Sequence, residues 1–166
     1  MPSLREKLER LYEEHAQAVF GFALTLTGSH ADADDILQEV FCRLAKRPLL
    51  LRSVEKERSL LLRMARNLAI DGSRRRQVRT SYAESCADGG IQEALFEPVD
   101  DVDAQALRDA VSAAVIQLPD EQREVLHLKI WEEMTLETIA KTLRIPAGTA
   151  ASRFRYGMSK LRDLLR

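Results

Sequence analysis

Apolar side chains recur at steps of three and four residues along most of this 166-residue chain, a spacing typical of amphipathic helices. The first helical pattern ends at Gly28, and Ser29 can cap a second one that Pro48 stops. A third pattern covers residues 59–76, and helical spacing returns from Ala104 onward. Because the chain has only 7 Gly, 5 Pro and few β-branched runs, we predict an all-α fold.

One stretch of the chain lacks the helical spacing. Residues 81–104 contain Gly89-Gly90 and many acidic side chains, a composition that favours an acidic flexible linker. We therefore predict two small helical domains, residues 1–80 and residues 105–166, joined by this linker.

The last part of the chain has the spacing of a helix-turn-helix. A short amphipathic helix that Thr135 can cap leads through a turn into a longer helix, on which Ala150, Phe154 and Leu161 share a face expected to pack inward. The N-terminal part of the second helix in this motif meets base edges, so the opposite face is a candidate DNA-binding surface. Its residues are Thr149, Ser152, Arg153, Arg155 and Tyr156. An ordinary helical hairpin with a solvated charged face is the alternative.

A second basic surface lies near the end of the third predicted helix. Guanidinium groups there fit a nucleic-acid backbone, and the amide of Asn67 can hydrogen-bond an exposed base. The candidate DNA-binding residues are Arg63, Arg66, Asn67, Arg74, Arg75 and Arg76. A solvated helix C-terminus is the alternative, because the helix dipole favours arginines at that end in any protein.

No motif in the chain predicts catalysis or metal binding. The acidic residues 32–39 do not form a calcium loop, because Leu37 and Arg43 stand where glycine and glutamate are required. A P-loop, GxSxG or HExxH motif is absent from the sequence. We expect no enzymatic activity, no metal, no cofactor and no small-molecule substrate.

The charge of the chain is patterned, although the net charge is only −1. Residues 1–80 carry +4, residues 81–110 carry −7 and residues 111–166 carry +2, so two mildly basic blocks flank an acidic connector. The 2 Cys lack metal-binding spacing and suit a reducing cytoplasm. Since no apolar run approaches the length of a membrane span, we expect no direct membrane insertion.

Three motifs resemble those of one protein family. "DADADDILQEVFCRLAK" resembles the signature helix of bacterial RNA polymerase sigma factors, and "LLLRMARNLAIDGSRRR" resembles their promoter-binding helix. "LPDEQREVLHLKIWEEMTLETIAKTLRIPAGTAASRFRYGMSKLRDLL" is similar to their C-terminal module. The short length and two-module layout are similar to the extracytoplasmic-function (ECF) group of the sigma-70 family.

The resemblance implies a subunit that binds core RNA polymerase and directs initiation at promoters. The residues that match the face docking on the β′ coiled coil are Asp35, Gln38 and Glu39. Asn67 and the surrounding arginines match the surface that opens the −10 element and holds a flipped base. The C-terminal module would contact the β flap.

The resemblance also implies contacts to the −35 element, further partners and a location. The positions that match −35 contacts in the major groove are Ser152, Arg155 and Tyr156. The acidic linker would thread the polymerase cleft, where it could mimic nucleic acid against a basic channel. We expect an anti-sigma factor as a partner, and a cytoplasmic protein that is nucleoid-associated when active.

Several positions depart from the family pattern. Leu60 stands in place of a usual tryptophan and Glu133 in place of a usual glycine, while Ala151, Tyr156 and Met158 replace frequent basic residues. Fewer charges on the final helix predict weaker nonspecific DNA affinity and a promoter preference unlike that of common relatives.

Two other classes of protein fit parts of the sequence. A stand-alone helix-turn-helix regulator would use residues 1–80 for dimerisation or ligand sensing and bind duplex operator as a dimer. A helical interaction protein would leave both basic surfaces solvated. A repressor, however, has no reason to carry both "DDILQEVF" and "RMARNLAIDGSRRR".

Overall fold

The computed structural model describes residues 1–52, 56–79 and 101–166, apart from the side chains of residues 74–79. These residues form helices joined by short connections and contain no strand, so the predicted all-α fold is confirmed. The helices are α1 (Leu4–Thr27), α2 (His30–Lys46), α3 (Glu57–Arg79), α4 (Val102–Ile116), α5 (Asp120–Ile130), α6 (Leu136–Leu143) and α7 (Ala147–Leu164), with a 3-10 helix at Pro48–Arg52.

Helices α1, α2 and α3 pack on one another around buried side chains that include Phe22, Val40 and Leu61. The predicted boundary between α1 and α2 is confirmed. Gly28 adopts a left-handed φ of 69° and donates its N–H to the Leu24 carbonyl at 2.8 Å. The hydroxyl of Ser29 then accepts the N–H of Asp32 at 3.3 Å and caps α2.

The C-terminal helices pack around a smaller apolar cluster that includes Val115, Leu126 and Leu161. Helices α6 and α7 form the helix-turn-helix, and Thr135 caps α6 as predicted, by accepting the Thr138 N–H at 3.1 Å. The turn after α6 passes through Arg144, whose φ is 56°.

Three helix boundaries differ from the sequence-based expectation. Asp120, which the sequence offers as an N-cap, is instead the first residue of α5, and Pro119 precedes the helix. The third helical pattern is expected to start at Ser59 as a cap, but α3 begins at Glu57 and Ser59 is buried inside it. Helix α4 already begins at Val102, within the last residues of the predicted linker, most of which lies outside the described residues.

The two halves of the chain pack closely together. Helix α5 lies on α1 and helix α6 lies on α3, so that Leu128 and Ile139 join the same apolar cluster as Phe22 and Leu61. The sequence contains no signal for this contact between halves, and the contact decides which candidate residues are accessible. None of the described helices is both long and apolar enough to cross a membrane.

Candidate nucleic-acid and polymerase interfaces

The predicted polymerase-binding residues form one exposed face of α2. Asp35, Gln38 and Glu39 follow the spacing i, i+3, i+4, and each is exposed. The buried side of the same helix, which includes Ile36 and Val40, holds α2 on the bundle. The three polar side chains are therefore presented on a rigid helix within reach of a partner.

A groove of about 440 Å³ lies beside this face, between α2 and α3. Its lining includes the carboxylates of Asp35, Glu39 and Asp71 and the single basic side chain of Arg43. Arg43 donates its Nε–H to the Glu39 carboxylate at 2.9 Å, which is an exposed pair of the kind that contributes little to stability. The surplus of negative charge favours a partner with basic side chains.

The candidate DNA-binding residues of α3 do not share one environment. Asn67 is exposed, whereas Arg63 and Arg66 are half-buried. Arg74, Arg75 and Arg76 lie on α3, but their side chains are outside the described part of the structure. The structure thus leaves the amide of Asn67 accessible to an unpaired base.

Arg66 binds a carboxylate from the other half of the chain. Its Nε–H donates to Glu124 Oε2 at 2.9 Å and its Nη2 to Oε1 at 3.3 Å, the two-point geometry that guanidinium groups favour with carboxylates. The Glu124 side chain is only 5 % exposed. Burial raises the pKa of Glu124 above its ordinary value, although the hydrogen bond and charge of Arg66 oppose this rise.

The candidate −35 contacts lie near the start of α7. Arg155 and Tyr156 are exposed, as is Ala151, while Thr149 and Ser152 are half-buried. The Ser152 hydroxyl donates to the Thr149 carbonyl at 3.1 Å, so a base edge would have to compete with this local bond. Of the residues predicted on the inward face of α7, Ala150 and Leu161 are buried and Phe154 is half-buried.

Arg153 departs from the expected outward face. Its Nη2 lies 3.6 Å from the Glu121 carboxylate of α5, and the side chain is 23 % exposed. Arg153 therefore packs toward α5, on a side of the helix different from that of Arg155. A DNA contact by Arg153 would first have to break this pair.

A second ion pair between the halves had no counterpart in the sequence analysis. Arg58 of α3 donates Nη2 to the Glu132 carboxylate, and the same group lies 2.6 Å from the Glu132 carbonyl oxygen. The buried His127 has its Nε2 3.6 Å from the other Glu132 oxygen. Arg58 and Glu132 are 74 residues apart in sequence, so no local signal could have paired them.

One cluster with metal-ligand chemistry occurs among the described residues. Potential ligand atoms of Glu14, His15 and Glu57 lie within 4.8 Å of one another. Arg10 already donates to Glu14 at 3.1 Å and to Glu57 at 3.1 Å. The two carboxylates are thus engaged with a cation supplied by α1 itself.

Comparisons with known proteins identify the family of the chain. The family model of Sigma-70 region 2 matches residues 11–79, and that of Sigma-70, region 4 matches residues 114–163. The chain is 31 % identical to the ECF RNA polymerase sigma factor SigL of Mycobacterium tuberculosis, over 93 % of this chain and 86 % of that protein. It is 29 % identical to the ECF RNA polymerase sigma factor SigW of Bacillus subtilis, over 89 % of this chain and 83 % of that protein.

A solved structure has the same fold. The sigma factor RpoE from Bartonella quintana, crystallised with the anti-sigma factor NepR, superimposes with a TM-score of 0.76 at 22 % sequence identity. The match covers 96 % of both chains. Both modules, their order and the identity to SigL lead to one conclusion: the chain belongs to the ECF group of the sigma-70 family of RNA polymerase sigma factors.

Proposed function

We propose that this sigma factor directs promoter-specific initiation through three separate surfaces. The face of α2 with Asp35, Gln38 and Glu39 binds the β′ coiled coil of core RNA polymerase. Helix α3 contacts the −10 element during strand opening, and α7 contacts the −35 element. The observation that carries this assignment is the exposure of Asp35, Gln38 and Glu39 on one face of the helix matched by the region 2 family model.

The division of labour along the chain follows from these surfaces. Residues 1–80 would bind polymerase and the −10 element, and residues 105–166 would bind the −35 element and the β flap. The linker, residues 81–104, would couple the two at a set spacing. The family membership supports this division, and it favours a sigma factor over a stand-alone helix-turn-helix regulator.

The expected partners and location follow from the same role. Core RNA polymerase and promoter DNA are the partners of sigma factors. We infer in addition an anti-sigma factor that holds the protein inactive, which the co-crystallised anti-sigma factor of the Bartonella relative supports. The protein would work in the cytoplasm, on the nucleoid when active, and would carry out no chemistry of its own.

Run-off transcription with purified core polymerase tests the proposed function. Initiation that depends on this chain is expected, and tight operator binding without polymerase and without initiation would favour the regulator instead. The Asp35→Ala, Gln38→Ala and Glu39→Ala triple variant should lose core binding. The triple variant Glu9→Ala, Glu13→Ala and Gln17→Ala, which alters exposed residues of α1, is a control and should keep it.

The role of Asn67 can be separated from polymerase binding. Since its exposed amide is proposed to hold an unpaired base, Asn67→Ala should impair promoter opening more than formation of the closed complex. Permanganate footprinting measures opening, and gel-shift titration at low temperature measures the closed complex. Normal permanganate reactivity in the variant would refute the assignment.

The promoter preference is tested by selection from a library with a randomised upstream element. Ala151 and Tyr156 are exposed where relatives frequently carry basic residues, so the preferred element should differ from the common family consensus. Recovery of that consensus would contradict this expectation.

A further inference from the structure

Gly72 lies inside α3, and nothing in the described part of the structure requires a glycine there. The helix continues through this position to Arg79, and Gly72 does not adopt a left-handed φ. A Cβ built at Gly72 meets no described atom of another element within 4 Å. Because alanine stabilises a helix interior more than glycine does, the missing side chain lowers stability without allowing closer packing inside the protein. The space beside Gly72 is therefore open to another molecule.

Gly72 lies where two cavities between α2 and α3 meet. The groove of about 440 Å³ beside the polymerase-binding face adjoins a cavity of about 330 Å³ that reaches the end of α1. Both are lined by Asp35, Ile36, Leu68 and Gly72, so together they form one cleft, the α2–α3 cleft. Since Gly72 lines both cavities, a long side chain at this position would occupy the cleft.

The α2–α3 cleft combines an apolar floor with carboxylates. Ile36 and Leu68 line both cavities and belong to the apolar core of the bundle. The carboxylates that line the cleft are those of Asp32, Asp35, Glu39 and Asp71. Among the described residues of the lining, Arg43 is the single basic one, and it donates to Glu39. This chemistry fits a lysine or arginine side chain, whose aliphatic stem packs on apolar atoms while its charged end reaches a carboxylate.

The α2–α3 cleft is continuous with the proposed polymerase-binding face. Asp35 and Glu39 belong both to that face and to the lining of the cleft. On the α3 side, Asp71 lies one helical turn after Asn67, so the cleft ends beside the residue proposed to hold the unpaired base. Carboxylates repel the phosphates of DNA, and the cleft therefore suits a basic protein partner better than a nucleic acid.

We propose that the polymerase-binding surface extends from α2 across the α2–α3 cleft to α3, and that a lysine or arginine side chain of core polymerase enters the cleft beside Gly72 and binds Asp71. This inference rests on the proposed function, because it adds residues to the same polymerase-binding surface. The missing side chain at position 72 admits the aliphatic stem, and Asp35 and Asp71 hold the charged end from two helices. This contact fixes the orientation of α3, and with it Asn67, relative to polymerase.

A substitution at Gly72 tests whether the cleft has to be open. Gly72→Leu fills the cleft and should weaken binding to immobilised core polymerase, measured by bio-layer interferometry without promoter DNA, by at least about tenfold. It should not lower the thermal midpoint, because leucine is a better helix former than glycine and its Cβ meets no described neighbour. The matched control is Gly148→Leu in α7, at a second helical glycine whose Cβ would meet nothing within 4 Å, and it should keep wild-type affinity.

A substitution at Asp71 tests the charge of the cleft. Asp71→Asn removes the charge with little change in size, and it should weaken core binding by about tenfold. The dependence of binding on salt concentration should also decrease, since one charge pair with the partner is lost. A purely structural role for Asp71 would not change that salt dependence. Asp163→Asn, at an exposed position of α7, is the control and should change neither quantity.

The outcomes separate this inference from the proposed function. Circular dichroism shows whether each variant is folded, and Asp71→Asn decides the question if Gly72→Leu is not. Wild-type affinity in folded Gly72→Leu, or in Asp71→Asn, overturns the inference, and the proposed function stands if the wild-type chain binds core polymerase and initiates run-off transcription. Normal affinity with impaired promoter opening also overturns it and assigns the cleft to DNA. A wild-type chain that does not bind core polymerase refutes the proposed function itself.

Discussion

Glu133 adopts a left-handed backbone conformation, with φ of 53°, in the turn between α5 and α6. The sequence comparison with sigma factors places a usual glycine at this position, and the φ value supplies the reason. A residue with a Cβ in this region is strained by about 1–2 kcal/mol, whereas glycine is not. At position 133 the chain thus forms the left-handed turn with glutamate, which adopts this conformation less readily than glycine.

Replacing Glu133 by glycine should therefore not weaken the protein. We expect Glu133→Gly to raise the free energy of unfolding by up to about 1 kcal/mol, because relief of strain exceeds the added entropy of the unfolded chain. The matched control is Glu137→Gly in the first turn of α6, which should lower it by about 0.5–1 kcal/mol. Urea denaturation measures both, and a similar loss in the two variants would contradict the explanation.

Arg155 is the best candidate on α7 for a contact with a base. It is exposed in the middle of the helix, and its guanidinium lies 5.1 Å from the Tyr156 ring centroid. Arg155→Ala should weaken binding of holoenzyme to its upstream element by about 1–3 kcal/mol. Arg162→Ala, at the far end of α7, is the control and should cost little in the same competition assay.

Gly157 determines how closely α7 packs on α5. A Cβ built at this position would lie 3.4 Å from Gln122 Cβ and 3.5 Å from Leu126 Cδ1, both ordinary contacts. Position 157 of α7 therefore has room for one methyl group but not for a long side chain. The distance between these helices positions Arg155 relative to the remainder of the helix-turn-helix.

Gly157→Ala should stabilise the protein by up to about 1 kcal/mol, because alanine is the better helix former and the added methyl group fits. Gly157→Leu should destabilise it by about 1–3 kcal/mol through overpacking against Gln122 and Leu126. Thermal denaturation distinguishes the two variants. Equal destabilisation by alanine and leucine would show that the helices are closer than described.

The boundary between the two halves should give the whole molecule a dependence on pH. Burial alone would raise the pKa of Glu132, but the nearby His127 and the hydrogen bond from Arg58 lower that pKa below the ordinary value. The ionised carboxylate therefore stabilises the folded chain above the ordinary carboxyl pKa of about 4.3. This contribution is lost as the pH falls through the lowered pKa.

Glu132→Gln should accordingly lower the free energy of unfolding by about 1–2 kcal/mol at pH 7. This range already allows for the partial exposure of Arg58, because solvent weakens its attraction to Glu132. The difference from wild type should shrink as the pH falls through the lowered pKa of Glu132. Urea titrations at a series of pH values measure it, with Glu137→Gln as the control for loss of a surface carboxylate. A difference that is constant with pH would exclude the ionised form as its source.

Much of the fold and part of the site follow from the sequence. Helical spacing with Ser29 and Thr135 as caps predicted local structure that the described residues contain, because each such signal acts within one turn of helix. The same spacing predicted the buried position of Ala150, and the resemblance to sigma factors indicated the face with Asp35. Leu60, which replaces the usual tryptophan of the family, is buried in the core. The sequence position of Leu60 alone did not indicate this burial.

What the sequence by itself determined is therefore the set of helices, their buried faces and the family. Only the tertiary structure decided that Arg66 meets Glu124 and that Arg153 turns toward Glu121. The physical reason is the separation along the chain between the residues that interact. Capping and amphipathic spacing depend on neighbours three or four residues away, whereas a buried ion pair depends on which helices meet across the whole chain.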